Sequence, residues 1–259
     1  MKIKNNIDKS ADFFSQRIGE LARRALSGEI CATRFLTPEE FVRAKSDLMG
    51  FSELSTSFFG GYADAERGVL VIYPNYIPEE SISQDDYITP VSIITSGYVR
   101  LEHRSFLGSL IGIGIERDAI GDILIEDDTA TVFVSPSVAD FLLSFEHPLE
   151  KVGSDKVTVK AGDAEKISRY RRSFTETVIV VASPRVDCVT AELGKMSREK
   201  AKEAISRGEV SLNHVTEIEP SDVLSAGDTI SIRRHGKFKI GEINLTRKDR
   251  FRISVLVYG

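Results

Sequence analysis

SPRVDCVTAELGKMSREKAKEAISRGEVSLNHVTEIEPSDVLSAGDTISIR, residues 183–233, carries two helix starts and two strand signals in close succession. Ser183 is placed to cap a helix with Pro184 at its first position, where a missing N–H costs nothing. Val186, Val189 and Leu193 then share one helical stripe. Ser197 is placed to cap a second helix, which stops with Gly208 just past its end. Val210 and Leu212 alternate in a short strand, and Ile230 and Ile232 alternate in another after the turn Ala226-Gly227-Asp228. Two short helices followed by strands, with Arg185, Arg198, Lys200, Lys202 and Arg207 concentrated on the helices, form the pattern of a nucleic-acid-binding module.

At about 100° per residue, Ala201, Ala204 and Ile205 define the buried stripe of the second helix. Arg198 and Lys202 flank that stripe on one side, Lys200 and Arg207 on the other, so only some of them can face one phosphate backbone. Arg198 falls in the first turn, beside the N–H groups that make helix N-termini anion sites. A second basic cluster follows: Arg233-Arg234-His235-Gly236-Lys237-Phe238-Lys239. Cations around a Gly turn suit a phosphate-tracking hairpin, with Arg forking phosphate oxygens and Lys acting as a point charge. Phe238 alternates with Ile240 and reads as core, with base stacking as the alternative. Phe251, Ile253, Val255 and Val257 alternate beyond the turn Thr246-Arg247-Lys248-Asp249, which extends the module by a β tail.

Charge divides along the chain in the same sense. The net formal charge is −5, yet residues 182–259 hold 14 Lys and Arg against 11 Asp and Glu, and residues 1–181 hold 20 against 28. An acidic body with a basic C-terminal domain implies one docking surface and not general affinity for nucleic acid.

The run Arg185-Val186-Asp187, then Ser197-Arg198-x-x-Ala201-x-x-x-Ile205-x-x-Gly208-x-Val210-x-Leu212-Asn213, then Gly227-Asp228-x-Ile230, resembles the S4 RNA-binding domain. Where the family usually has Leu, this chain has Val186, and where it usually has Gly after the Asn, this chain has His214. A left-handed turn there is less comfortable for His than for Gly. The resemblance implies RNA contact by Arg185, Asp187, Ser197, Arg198, Lys200, Lys202, Arg207 and Asn213. The basic hairpin adds Arg233, Arg234, Lys237 and Lys239.

A chain of 259 residues exceeds one such module, so an α+β, multidomain organisation is expected. Residues 1–78 read as a small N-terminal α/β domain. Its opening amphipathic helix places Phe13, Phe14, Ile18, Leu21, Ala22, Ala25 and Leu26 on one face. Thr37-Pro38-Glu39-Glu40 is a capping box that starts another helix, Val69–Tyr73 is a strand, and Pro74 to Pro78 reads as a linker. Residues 79–175 show strands at Val91–Thr95, Ile123–Glu126, Thr131–Val134 and Lys156–Lys160, with helices at His103–Leu110 and Ser137–Phe145. This β-α-β-β-α-β order points to a ferredoxin-like or RRM-like sandwich. Base stacking on its sheet would need several exposed aromatics, and Phe133 is the single candidate. Val178–Ala182 reads as a buried strand or linker, and residues 176–259 form the S4-like domain with its β tail.

Over its full length the chain resembles the YlmH family of bacterial S4-domain proteins. The residues that carry this are Phe59-Gly60-Gly61-Tyr62-x-Asp64-Ala65-Glu66-Arg67, His103-Arg104-Ser105-Phe106-Leu107-Gly108 with Gly112-x-Gly114, and Ile120-Gly121-Asp122-Ile123-Leu124. The family pattern often has Asp where Ser105 stands. The resemblance implies a non-enzymatic, cytoplasmic RNA-binding protein that associates with ribosomes. Its partners would be structured RNA (rRNA, tRNA or both) and the ribosome, through the large subunit, in translation or ribosome-associated quality control. His103 and Arg104 open a helix and could make a secondary anion or partner contact, or be an ordinary helix start.

Other chemistries find little in the residues. His103, His147, His214 and His235 share no ligand spacing, and Cys31 and Cys188 are isolated, so neither a metal nor a cofactor is expected. Unpaired cysteines point to a reducing compartment, and no apolar run is long enough to span a membrane. Lys195-Met196-Ser197 superficially resembles the nucleotide-binding loop of class I synthetases, but no His-x-Gly-His lies upstream. The competing functions are an RNA-modifying enzyme of pseudouridine synthase or methyltransferase type, and an adaptor localised by its S4 domain.

Overall fold

The computed structural model describes residues 2–97, 101–144, 149–170 and 174–258, with side chains in the first helix described from Asp12 onward. Helix α1 (Lys2–Leu26), strand β1 (Cys31–Leu36), helix α2 (Pro38–Leu48) and strands β2 (Leu54–Phe59) and β3 (Gly68–Pro74) build an antiparallel sheet ordered β1-β3-β2. The capping box is formed: Thr37 Oγ1 accepts from the Glu40 N–H at 3.2 Å, and Glu40 Oε2 accepts from the Thr37 N–H at 2.7 Å. The central strand β3 is buried at every position, and its two faces have different partners. Leu70 and Ile72 pack with Ile18, Ala22 and Ala25 of α1 and Ala44 and Leu48 of α2. Phe13 and Leu26, expected on that apolar face, are 69% and 44% exposed. Phe13 stands about 140° around the helix from Ile18, and Leu26 is its last residue, at the edge of the stripe.

Strand β4 (Thr89–Thr95), helix α3 (His103–Gly112), strands β5 (Ile120–Glu126) and β6 (Thr129–Val134), helix α4 (Pro136–Leu143) and strands β7 (Lys151–Val152) and β8 (Asp155–Ala161) follow. Their sheet is antiparallel throughout and ordered β5-β6-β4-β8-β7. Val91, Ile93, Ile123, Val132 and Val134 face Phe106 and Leu110 of α3 and Ala139 and Leu142 of α4. The helix expected to reach Phe145 ends at Leu143; Phe145 and His147 lie outside the described residues. Helix α5 (Ala164–Arg169) closes this part of the chain.

The opposite face of this second sheet presents Leu124 and Phe133, and these pack with Phe35, Val69, Val71 and Tyr73 of the first sheet. Residues 1–170 therefore make one compact unit of helices, sheet, sheet and helices, and position 78 falls inside it. Phe133, the candidate for exposed stacking, is fully buried, and its ring stacks on Tyr62 with centroids 5.2 Å apart. The first sheet occupies the face on which a base would have to lie.

The second unit, residues 171–259, contains β9 (Phe174–Val181), α6 (Val186–Leu193), α7 (Arg198–Ser206), β10 (Val210–Leu212), β11 (Thr229–Ile232), β12 (Gly236–Leu245) and β13 (Phe251–Tyr258). One antiparallel sheet runs β10-β11-β12-β13-β9. Val186 and Val189 of α6 and Ala204 and Ile205 of α7 cover Ile179, Val181, Ile230, Ile232, Phe238, Ile240, Ile253 and Val255. β9 begins at Phe174, two residues before position 176, because it pairs with β13 along its whole length, from Phe174 opposite Tyr258 to Val181 opposite Phe251. Phe238 is a core residue, 5% exposed.

The first of the two helices starts later than its Ser-Pro signal implies: α6 opens at Val186 with Arg185 as its N-cap, and Ser183 lies outside the helix. The carbonyls of Asp222 and Pro220 take the N–H groups of Val186 (2.8 Å) and Asp187 (3.1 Å), while Pro184 accepts from the Leu224 N–H. A distant loop thus does the work expected of the Ser183 side chain. The second helix matches its signals, with Ser197 Oγ accepting from the Lys200 N–H at 3.3 Å and Gly208 left-handed (φ 68°) after the C-cap Arg207.

The Gly60-Gly61 pair has a packing reason. Gly61 has φ 91°, and a Cβ there would lie 2.1 Å from Cδ1 of Phe133. Gly61→Ala is therefore expected to destabilise the protein by about 2–4 kcal/mol, combining overpacking with backbone strain. Gly108, inside α3 with open space within 4 Å of where a Cβ would stand, is the control. Gly108→Ala is expected to stabilise by about 0.5–1 kcal/mol. Urea unfolding midpoints check both signs.

Candidate nucleic-acid interface

The first turn of α6 buries a carboxylate. The Asp187 side chain is fully inaccessible, and Arg198 Nε, from the first turn of α7, donates to its Oδ2 at 2.9 Å. Arg185 Nε lies 3.4 Å from Oδ1. A buried charge of this kind is tolerated only when paired. Burial pushes the Asp187 pKa up, but hydrogen bonds from Arg198 and Cys188 and the charges of Arg198 and Arg185 outweigh it and hold it below the ordinary carboxylate value. Arg198 and Arg185 keep 50% and 36% of their side chains exposed. The carboxylate thus holds Arg198 by a hydrogen bond and Arg185 by charge alone, since Arg185 Nε and Asp187 Oδ1 lack hydrogen-bond partners among the described residues, and it leaves part of each guanidinium-bearing side chain at the surface, where the fork matches phosphate oxygens.

Three of the residues expected to touch RNA are occupied within the fold. Asp187 is buried and acts through its arginines, and Ser197 uses its hydroxyl oxygen as the α7 cap. Asn213 is a clamp: its Nδ2 donates to Asp228 Oδ1 and its Oδ1 accepts from the Thr229 N–H, both at 2.9 Å. Asn213 and His214 both have positive φ, 48° and 70°, and the Val215 N–H returns to the Leu212 carbonyl at 2.9 Å. This is the mirror-image two-residue turn, and His214 occupies its left-handed second position as the sequence implied. Burial, and then the charge of Lys237, lower the His214 pKa.

Lys200 and Lys202 are exposed on α7, and the C-cap residue Arg207 is exposed too, paired to Glu203 at 3.1 Å one turn earlier. Arg233 and Arg234 are exposed in the turn between β11 and β12, where Arg234 is left-handed (φ 69°) and the Arg233 N–H bonds the Glu209 carbonyl at 2.8 Å. Lys237 and Lys239 pair with Ser231 and Thr229 on the sheet face opposite Phe238 and Ile240. Lys237 Nζ sits 5.0 Å from the centroid of the Tyr258 ring, an aromatic that the alternation of β13 contains but that the reading of its buried partners passes over.

In the first unit, Arg104 forms an exposed ion pair with Glu102 at 3.0 Å, so its charge is already balanced at the start of α3. Burial and the charge of Arg117 lower the His103 pKa against the pull of Asp122. The Tyr62–Arg67 and Asp122 motifs meet: Asp122 Oδ2 accepts from Tyr62 Oη at 2.9 Å and from the Glu66 N–H at 2.7 Å. Arg67 reaches the carbonyls of Ile120 at 3.2 Å and Phe35 at 3.1 Å. These residues join the two sheets of the unit.

Comparison with known proteins agrees with the motifs. A family profile described as "YlmH, N-terminal" matches residues 11–77, and one described as "Putative RNA-binding domain in YlmH" matches residues 83–166. The chain is 32% identical over 225 residues to "Ribosome-associated protein quality control protein P2" of Bacillus subtilis (strain 168), covering 86% of this chain and 85% of that protein. The solved structure of "Cell division protein ylmH from Streptococcus pneumoniae" shares its fold at a TM-score of 0.51 and 22% identity, covering 61% of this chain and 94% of that one.

The Asp187 pairing carries a pH signature. Because its folded pKa is lowered, its contribution is complete above the ordinary value of 3.8 and is lost as pH falls through the folded value. Asp187→Asn is expected to cost about 1–2 kcal/mol near pH 7, a charged hydrogen bond discounted for its half-exposed partner. The gap to wild type should close in acid. Denaturant midpoints measured from pH 7 down to pH 2 check it.

Proposed function

The chain belongs to the YlmH family, and from that footing we propose that it is a non-enzymatic cytoplasmic RNA-binding protein that docks on ribosomal or transfer RNA through its C-terminal unit. The observation that carries the reading is the buried Asp187, hydrogen-bonded to Arg198 and 3.4 Å from Arg185 at the helix starts, in a unit of two helices and one sheet whose sequence resembles the S4 domain. A guanidinium group hydrogen-bonded to a buried carboxylate, as Arg198 is, loses little freedom on meeting a phosphate. Lys202, Arg233, Arg234 and Lys239 add exposed positive charge.

The matched profile over residues 83–166 and the Bacillus subtilis relative's name support RNA and the ribosome as partners and ribosome-associated protein quality control as the role; docking on the large subunit is part of the proposal. The strand order β5-β6-β4-β8 supports an RRM-like reading of the second sheet. Its inner face is packed against the first sheet, which leaves Phe133 unavailable for base stacking, and the proposal puts the docking contact on the C-terminal unit. No described helix is long and apolar enough to cross a membrane.

The test uses full-length protein. Arg198→Glu would set a second carboxylate against Asp187, so the informative variant is Lys202→Glu with Arg233→Glu and Arg234→Glu, all exposed positions. Each lost phosphate contact should reduce the slope of log K against log salt by roughly 0.7–0.9. The triple variant is expected to stay folded by circular dichroism, to co-sediment more weakly with ribosomes, and to show a flatter salt dependence. Unchanged binding and slope would sink the reading. Association that survives nuclease treatment would favour a protein-mediated adaptor.

A further inference from the structure

An open groove of about 550 Å³ lies inside the first unit, where the packing between the two sheets meets the packing around α3 and α4. That volume falls within the range of ligand sites, which favour such seams. Its floor is apolar: Phe35 and Val69 come from between the sheets, Ile115 and Val138 from beside α3 and α4, and Phe141 keeps 44% of its surface exposed. Its charged lining is three carboxylates, Asp86, Glu116 and Asp118, against one guanidinium, Arg34. Arg34 donates to Glu116 Oε2 and, at 2.7 Å, to Asp118 Oδ1. The second oxygen of each, and the Asp86 carboxylate, have no hydrogen-bond donor among the described residues. A smaller cavity that shares Arg34 and Asp118 adds one charge of each sign, Arg17 and Glu40. Arg117 is outside the lining, and its Nη1 donates to the Ile120 carbonyl at 2.7 Å. Helix α3 ends against the groove at Ile113 and Gly114, so its negative end adds to the same sign. The start of α4 offsets little of this, because Pro136 has no N–H and the Ser135 carbonyl takes those of Val138 and Ala139.

We propose that this groove docks a basic segment of a partner polypeptide, an aliphatic or aromatic side chain filling the floor while a neighbouring lysine or arginine meets Asp86, Glu116 and Asp118. This contact is separate from the RNA contact placed on the C-terminal unit and does not depend on it. Charge decides the class of occupant. RNA would bring phosphates against three carboxylates, and like charges set together at a contact are strongly unfavourable. The surrounding stretch has the same sign: residues 83–166 hold 7 Lys and Arg against 15 Asp and Glu. Among the described residues no group of three or more His, Cys, Asp or Glu could hold a metal ion, which makes the three carboxylates partners for organic cations. A small polyamine would answer them and leave the apolar floor uncovered. A polypeptide with alternating apolar and basic side chains answers both, in the manner of an anchor seated in a pocket within a polar rim.

The chain contains no tryptophan, so Phe141→Trp places a sole reporter on the groove and keeps an aromatic there. The probes, added to full-length protein, are a peptide alternating leucine with arginine, a counterpart with glutamate for arginine, a counterpart with serine for leucine, and a hairpin RNA. Emission of the Phe141→Trp chain is expected to shift to the blue with the leucine–arginine peptide and to stay unchanged with the other three. Asp86→Asn, Glu116→Gln and Asp118→Asn together should weaken binding of that peptide roughly tenfold, the scale of three partly exposed ion pairs. Glu20→Gln, Glu39→Gln and Glu80→Gln remove three exposed carboxylates outside the lining and should leave its affinity nearly unchanged. Equal weakening by the two triple variants would mean general attraction to an acidic surface and would overturn the groove as the site. So would an unresponsive reporter, equal binding of the serine–arginine peptide, or the same emission shift with RNA. Should the variant at the groove fail to fold by circular dichroism, the emission comparison among the four probes decides alone. Lys202→Glu with Arg233→Glu and Arg234→Glu changes no residue of the groove, so the peptide site and the RNA contact stand or fall separately.

Discussion

A carboxylate that cannot reach water governs the C-terminal unit. Asp187 lies in the first turn of α6, and burying it is tolerable only because guanidinium groups from two helix starts converge on it. That requirement ties α6 to α7 through the Arg198 hydrogen bond and draws Arg185 to the same carboxylate by charge. The loop through Pro220 and Asp222 supports the arrangement by satisfying the α6 N–H groups, which keeps those groups from serving as an anion site themselves. Cation placement at this end of the fold therefore follows from an internal charge balance.

The first unit solves a similar problem with the opposite electrostatic outcome. Asp122 is also largely removed from water, and it accepts from Tyr62 Oη and backbone N–H groups while Arg67 and Arg117 stand nearby. Burial raises its pKa beyond what those donors and charges restore. Asp187 receives a guanidinium hydrogen bond directly, whereas Arg67 and Arg117 donate to carbonyls of Phe35 and Ile120. At Asp187 the guanidinium hydrogen bond and charges win against desolvation. Asp122 and its partners join two sheets, and Asp187 and its partners present cations.

Sheet faces divide between the units in a parallel way. Phe133 is sealed under Tyr62 and the first sheet, with Gly61 giving the ring room. Phe174 and Tyr258 stand on a face whose other side is already covered by α6 and α7. Phe133 is thus buried between two layers of the first unit, while Phe174 remains 43% exposed in the second.

Much of the local structure was legible in the residues: the Thr37–Glu40 box, the Ser197 cap, Gly208 after α7, and the alternation of β11 and β13 are written within a few positions of where they act. The arginine and lysine positions of the candidate site were legible too, since helical spacing and a basic turn need no distant partner. β1 and β2 carry no clean alternation and become strands by pairing with the fully buried β3. The tertiary structure alone decided that Asp187 and Asn213 hold other groups, that α6 starts at Val186, that Phe133 is core, and that Tyr258 meets Phe174 and Lys237. Each of those outcomes depends on a partner from a remote part of the chain. Periodicity specifies which face of an element is apolar, but burial and ion pairing are properties of the pair that meets.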